Sequence, residues 1–305
     1  MSKNLSKNLF ATVLTYAAPS SNYRGESEEN RTVIQRITKG GQEFPIVSPE
    51  AMRNAIREIL AGYGLPMNRR RLDNEDQLAV EFKEFPDATR FADDFLFGHL
   101  VADKEAVKAN KGKPAKRDSV LRMNMAVALQ PYRFNATLHQ SPLNGGKSPW
   151  RNSSTSALLH REVAHTPYQY PFALAAADVL RADSPPAAAL WARHLLKAIG
   201  ELSNVAGNHA RSYFEMAPRS LVARLSSSLV AGFDTYGFTD GSAFPELARV
   251  KAGDLPGAEM WLGGELVRNM PAAERARLEA EGAHLYENPQ QLLGKLGEVA
   301  FGSAG

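Results

Sequence analysis

The stretch Pro45-Ile46-Val47-Ser48-Pro49-Glu50-Ala51-Met52-Arg53-Asn54-Ala55-Ile56-Arg57-Glu58-Ile59-Leu60 decides how this chain is read. It describes a capped helix entered from an extended segment. Ser48 suits the N-cap, where a hydroxyl oxygen accepts an otherwise unpaired backbone N–H, and Pro49 suits the first helical position, which needs no N–H. Ala51, Met52, Ala55, Ile56, Ile59 and Leu60 form one apolar stripe at helical spacing, so the helix packs on a core. Arg53 and Arg57 stand one turn apart on the opposite side, near the free N–H groups at the positive end of the helix dipole. That arrangement suits a row of phosphates. A solvated face, with Glu50 and Glu58 balancing the two arginines, accounts for the same residues.

At 305 residues, 44% hydrophobic and 23% charged, the chain has the composition of an ordinary globular protein. It holds either one core with large insertions or two modest domains. There is no cysteine, which excludes a disulfide scaffold, thiolate metal sites and thiol catalysis and fits a reducing, cytoplasmic setting. No run approaches the roughly 18 apolar residues of a membrane span, so no membrane partner is expected. Lys3 and Lys7 before Leu9–Ala18 faintly resemble a secretory leader. The β-branched and aromatic residues of that run, ended by Pro19-Ser20-Ser21-Asn22, also make a strand over 7–17, and the strand is the reading taken.

The formal net charge is only +3, but it is unevenly placed. Residues 31–71 hold eight basic side chains (Arg31, Arg36, Lys39, Arg53, Arg57, Arg69, Arg70, Arg71) against three acidic ones. Residues 104–122 hold seven (Lys104, Lys108, Lys111, Lys113, Lys116, Arg117, Arg122) against two, whereas the tail from 240 has ten acids and six bases. Two basic segments on a nearly neutral chain point to a local polyanion site. The acidic tail is suited to solvent or to a basic neighbour.

Outward from the helix, a second strand spans Ser119–Leu129, with Leu121, Met123, Met125, Val127 and Leu129 alternating with polar or smaller residues. A third candidate runs from Thr166 to Ala175, where Tyr168, Tyr170, Phe172 and Leu174 share a face; Pro167 and Pro171 make it an edge or interrupted strand. A second helix opens at Asp183-Ser184-Pro185-Pro186, with Leu190, Trp191, His194, Leu195, Ala198, Ile199 and Leu202 as its stripe. A fourth strand fits Ser220–Ser226. Strand, helix, strand, strand, helix, strand is the order of a split βαβ, so the fold class is α+β, a ferredoxin-like (RRM-like) domain. Long connections interrupt it: roughly 30 residues before the first helix, about 55 after it, and another 30 or so between strands two and three. Both basic segments fall mainly there. The last connection has a Gly145-Gly146 tip flanked by Trp150 and Arg151, as in a projecting arm.

At this point the residues resemble a family. A first strand, an Asn-bearing loop, a Gly-Gly turn and Val-Ser-x-x-x-x-Arg opening the first helix are similar to the backbone subunit of CRISPR Cascade complexes. This is the seventh Cas family of the repeat-associated mysterious protein (RAMP) superfamily, in its DevR-like branch of type I-B and I-A systems. Asp94-Phe95-Leu96-Phe97-Gly98, Lys116-Arg117-Asp118-Ser119-Val120-Leu121, Glu162–Tyr170 and Gly207-Asn208-His209-Ala210-Arg211 add to the resemblance, which covers about residues 5–235. It implies a palm formed by 1–63, 119–135 and 165–235, a finger insertion over 64–118, a thumb over 136–164 and a C-terminal extension over 236–305. It also implies copies stacked in a helical filament along a CRISPR guide RNA (crRNA). The partners are then the guide, target DNA, neighbouring copies and the other Cascade subunits, namely the crRNA 5′-end cap subunit and the large and small subunits.

On this resemblance Ser48, Arg53 and Arg57 match the palm positions that hold RNA phosphates. Asn22, Arg24 and Arg31 fall in the loop that other branches fill with an Asn-Arg motif, and Lys116, Arg117, Arg161, His209 and Arg211 complete the expected RNA contacts. Lys104, Lys108, Lys111 and Lys113 suit target DNA passing the finger; a solvated lysine-rich loop is the plainer alternative. Backbone holding that ignores sequence should use phosphate contacts from Arg, Lys, Ser and helix N-termini.

No Walker loop, G-x-G-x-x-G or G-x-S-x-G stands in the chain. His160 and His165 are five apart, which is not the helical pairing of a zinc site. Asp93-Asp94 suits a divalent metal or, more commonly, capping. His209 with Arg211 offers a general base and a phosphate clamp, which keeps a RAMP-type endoribonuclease acting on repeat or target RNA, using His209 or His165, as the alternative. In related complexes that cut RNA, a thumb aspartate does the cutting; no Asp or Glu lies between Gln140 and Arg161. The expectation is therefore a non-catalytic protein with no cofactor and no metal. A DNA-binding autoregulator is the third reading.

Overall fold

The computed structural model describes residues 7–28, 31–73, 78–140, 158–181, 183–205 and 214–302. In chain order, the elements that position the site are strands β1 (Asn8–Thr15), β2 (Tyr23–Glu28), β3 (Arg31–Ile34), β4 (Arg36–Lys39) and β5 (Gln42–Val47), followed by helix α1 (Pro49–Gly62). Then come α2 (Ala92–Phe97), α3 (Lys104–Ala109), β6 (Leu121–Met123), β7 (Ala126–Ala128), β8 (Ala136–Gln140), β9 (Leu158–Glu162) and β10 (Tyr168–Ala175). The last are α4 (Ala188–Gly200), β11 (Pro218–Ser226), β12 (Met260–Gly264), β13 (His284–Tyr286) and α5 (Pro289–Phe301).

The chain is mixed α+β around a central sheet of order β13-β12-β11-β1-β10-β7-β5-β4, with β6 also on β10. At its middle β11, β1, β10 and the β6–β7 segment lie antiparallel to their neighbours. β1 is central because it is apolar on both faces. Leu9, Ala11 and Val13 face the helices α1, α2, α4 and α5, while Leu14 joins a second core built with Phe233, Phe238, Phe244, Leu247 and Val250. Tyr168, Tyr170, Phe172 and Leu174 of β10 are buried on the helix side.

Three expectations change. Pro171 stands in the interior of the sheet, not at its edge, facing Thr12 of β1. It has no N–H to donate, and it lies opposite the break between β6 and β7, where Asn124 donates to its carbonyl at 3.3 Å. An interior proline is tolerated at such an irregularity. The second strand is likewise broken, and the break shifts its alternation by one residue: Leu121 and Met123 face the helices before it, Ala126 and Ala128 after it, as a bulge requires. Val127 and Leu129 therefore leave that face. In α4, Trp191, Leu195, Ala198 and Ile199 are buried as expected, but Leu190 stays exposed and Ala188, Ala192 and Leu196 join the buried stripe.

The two basic connections are also more ordered than their composition suggests. The segment after β1 is not a loop: β2 and β3 pair, β3 runs parallel to β9, and β9 pairs with β8, giving a second sheet of order β8-β9-β3-β2. Glu162, on β9 and 1% exposed, anchors that sheet; it accepts from Ile34 N at 3.1 Å and faces Arg31 Nε at 3.3 Å. The chain beyond 236 is integral to the main sheet, since β12 pairs with β11 and α5 packs on α4. The Gly145-Gly146 tip and Trp150 lie outside the described residues.

Candidate nucleic-acid interface

α1 begins as its sequence dictates. Ser48 is extended (φ −67°, ψ 148°) and its hydroxyl oxygen accepts from Ala51 N at 3.2 Å, which leaves the hydroxyl hydrogen to donate elsewhere. Met52, Ala55, Ile56 and Leu60 are buried. Arg53 and Arg57 are not on an open solvated face, however. Both are half-buried, against Phe97 at the end of α2. The Arg57 guanidinium carbon lies 4.3 Å from the Phe97 ring centroid and that of Arg53 5.6 Å. Arg53 Nη2 donates to Phe97 O at 2.5 Å and to Ser119 Oγ at 3.3 Å, and Arg57 Nη1 donates to Asn54 Oδ1 at 2.8 Å.

Two groups the sequence presented as separate motifs meet here. The closing carbonyls of α2 need partners, and each has one. Arg117 Nη1 donates to Phe95 O at 2.5 Å, Ser119 Oγ to Leu96 O at 3.0 Å, and Arg53 to Phe97 O. Gly98 turns the chain immediately after at φ +65°, where a Cβ would stand 2.4 Å from Arg117 O. Asp93 and Asp94 are buried, and their carboxylates fasten the base of the neighbouring hairpin. Asn68 N and Arg69 N donate to Asp93 at 2.8 Å each; Asn68 Nδ2 and Asp87 N donate to Asp94 at 2.8 and 2.9 Å. These acids cap backbone, and no group of three metal-ligating side chains occurs among the described residues.

The electrostatics of the arginine pair set it apart. Among the described residues no carboxylate forms an ion pair with either one, and the Nε of each is buried without a partner. Burial lowers the Arg53 pKa, with Glu50 opposing and Arg69 adding to the shift. That of Arg57 is lowered to about 9, first by burial and then by the neighbouring Arg69 and Arg53, with Asp93 and Asp94 opposing. Arg53 and Arg57 are thus held by an aromatic ring, a carbonyl and an amide, and Arg69, over the Phe82 ring at 4.8 Å, is a third cation whose charge acts on both. A guanidinium has five donors, so several here remain for an outside acceptor.

Other expected contacts are placed differently. Asn22, expected at RNA, is buried; its Nδ2 donates to Ile46 O at 3.2 Å and its backbone carbonyl accepts from Gln35 N. Its task is to fasten the segment ahead of α1. Arg31 sits against Glu162 and 5.3 Å from the Phe134 ring. Arg117 clamps α2, and burial lowers its pKa. Arg24 lies on β2, and Arg161 is half-buried on β9. Lys104, Lys108, Lys111, Lys113 and Lys116 are all exposed, with Lys108 paired to Glu105 at 2.7 Å and Lys116 4.0 Å from Asp118. His209 and Arg211 lie outside the described residues. Sequence reasoning missed the roles of Phe97, Asn54 and Ser119; only the order of the two short motifs that carry Phe97 and Ser119 signalled them.

No protein-family model matches the chain. It is 31% identical over 291 residues to "CRISPR-associated protein Cas7/Cst2/DevR" of Myxococcus xanthus (strain DK1622), covering 92% of this chain and 94% of that protein. The chain belongs to the Cas7/Cst2/DevR family. Its fold is shared with a chain of a "CRISPR RNA-guided surveillance complex, pre-nicking" (TM-score 0.61, 11% identity, 96% of this chain and all of that one). A chain of a second "CRISPR RNA-guided surveillance complex" is also similar (TM-score 0.57, 14% identity, 96% of this chain and all of that one). Among the described residues of this Cas7/Cst2/DevR family member, no helix is long and apolar enough to cross a membrane.

Proposed function

We propose that this protein is a multi-copy, non-catalytic crRNA-binding backbone subunit of a type I CRISPR surveillance (Cascade) complex, holding guide phosphates while the bases stay free for target DNA. The observation that carries the reading is the α1 cluster: Arg53 and Arg57 beside Arg69, short of acidic partners and with unused donors, in a family member whose fold is that of surveillance-complex chains. A buried group of like charges is costly unless an anion completes it. Phosphates would do so, because arginine–phosphate contacts are charge-assisted and read no sequence. Delegating recognition to base pairing requires such indifference.

In this reading β11, β1, β10 and β6–β7 with α1 and α4 form a ferredoxin-like palm. Residues 64–118 form the finger, and 136–164, which includes β8 and β9, form the thumb. The exposed lysines of α3 and its following turn face target DNA, and copies stack as a helical filament that the crRNA 5′-end cap subunit and the large and small subunits join. The absence of any acid between Gln140 and Arg161 supports binding without cleavage. Co-expression with a CRISPR array tests the whole: a multi-copy particle containing RNA of uniform length is expected. RNA-free monomers under the same conditions, or specific repeat-RNA cleavage abolished by His209→Ala, would overturn it.

A further inference from the structure

We infer that Phe97 is a positioning residue for the phosphate contact: carried on the inserted segment, its ring and carbonyl hold Arg53 and Arg57 as a two-cation clamp. The inference rests on the function proposed above. Two guanidiniums one helical turn apart repel, and left to themselves they would splay into solvent. A carboxylate between them would gather them but would also neutralise them and compete with phosphate. An aromatic ring gathers without neutralising, because its face is electron-rich while its net charge is zero. Phe97 does this for both arginines, at 4.3 and 5.6 Å, and its carbonyl takes an N–H of Arg53.

The ring itself has no freedom to leave. Phe97 is 3% exposed. The chain reverses at Gly98 in a conformation that favours glycine, with Arg117 O against the place of a Cβ. The three carbonyls before the turn are tied to Arg117, Ser119 and Arg53. Asp93, on the same short helix, also fixes the backbone N–H of Arg69, the third cation. The finger insertion is therefore more than a surface for a second strand; it sets the geometry of the palm's grip.

The test measures binding of the full-length protein to a labelled, mixed-sequence single-stranded RNA at several salt concentrations. Three variants are compared: Phe97→Leu, which keeps apolar bulk without a π face; Phe97→Tyr, which keeps the ring; and Arg53→Ala with Arg57→Ala. Phe97→Leu is expected to weaken binding roughly threefold to thirtyfold, as removal of one or two cation–π interactions predicts, with the salt slope nearly kept because the charges remain. Phe97→Tyr should restore binding to within about twofold. Wild-type binding by Phe97→Leu, alongside weakened binding by the double-alanine variant, overturns the positioning role and leaves the proposed function standing. Wild-type affinity and salt slope in the double-alanine variant defeat that function itself. Arginine side-chain NMR of the unmodified, RNA-free protein supplies a readout independent of any variant. Ring-current-shifted Hε signals for Arg53 and Arg57 support the inference, and unshifted, averaged signals overturn it.

Discussion

Arg57→Leu separates a phosphate clamp from a merely structural arginine, because the two roles demand opposite signs for stability. The guanidinium is largely buried, its Nε lacks a partner, and the charges that act on it most are the cations of Arg69 and Arg53. The fall of its pKa to about 9 corresponds to roughly 4–5 kcal/mol against the charged form in the folded protein. Against that stand the Phe97 ring at 4.3 Å and the bond to Asn54 at 2.8 Å, worth about 0.5–2 and 1.5–3 kcal/mol respectively. Leucine removes all of these and contributes apolar burial of roughly 1.5 kcal/mol. A net gain of about 2–3 kcal/mol at the middle of these ranges follows, a rise in melting temperature of about 4–8 °C for a chain of this size.

Thermal unfolding of the RNA-free protein at pH 7.5 measures that rise. RNA anisotropy on the same preparations should show binding at least about tenfold weaker, with the log–log salt slope reduced by about 0.7 for each phosphate no longer held. The pH dependence has a definite sign. The folded pKa lies below the unfolded one, so the charged guanidinium costs stability below about pH 9, and that cost fades as pH rises through the folded value. The advantage of the leucine variant should therefore shrink above pH 9. A variant that melts lower than wild type while binding RNA with an unchanged salt slope would refute the reasoning and make Arg57 an ordinary structural residue.

Gly98→Ala places a Cβ on Arg117 O in a left-handed backbone conformation and should cost about 2–4 kcal/mol, read as a lower urea midpoint. Glu162→Gln weakens the anchor that Ile34 and Arg31 share; it should cost about 1–3 kcal/mol and speed amide exchange over residues 31–34, with β1 and β10 unaffected. Arg219 holds the Glu265 carboxyl below its ordinary range through a side-chain hydrogen bond between β11 and the helical turn after β12. That stabilisation is complete above the unfolded carboxyl pKa and is lost as pH falls through the lower folded value, so Glu265→Gln should flatten acid unfolding below about pH 4.

How much of this was legible in the sequence depended on whether the determinant was local. The cap at Ser48, the apolar stripe of α1 and the four central strands rest on periodicities and turn residues within a few positions, and those were readable. The break between β6 and β7 was hidden because Leu121 to Leu129 alternates well on its own; only the partner strand, with Pro171 offering no N–H at that level, explains it. The second sheet was hidden because residues 23–34 are too polar to announce strands. They are held by a buried carboxylate about 130 residues away.

The site divides in the same way, and the division says which of its residues to test first. Asn22, Arg31, Arg53, Arg57 and Arg117 look alike in sequence, as polar or basic residues of insertions and a helix face. What separates them is whether the fold itself satisfies them. Asn22 is buried on a carbonyl, Arg31 faces a buried carboxylate, and Arg117 caps a helix. Arg53 and Arg57 are gathered with Arg69 but not neutralised. A fold that buries a cluster of cations without pairing them to carboxylates lowers its own stability to do so, and natural chains accept such strain mainly where a ligand relieves it. Excess guide RNA should therefore raise the melting temperature of the wild type more than that of Arg57→Leu, since in the variant only the Arg53–Arg69 repulsion is left to relieve. Equal shifts in the two proteins would place the RNA contact elsewhere.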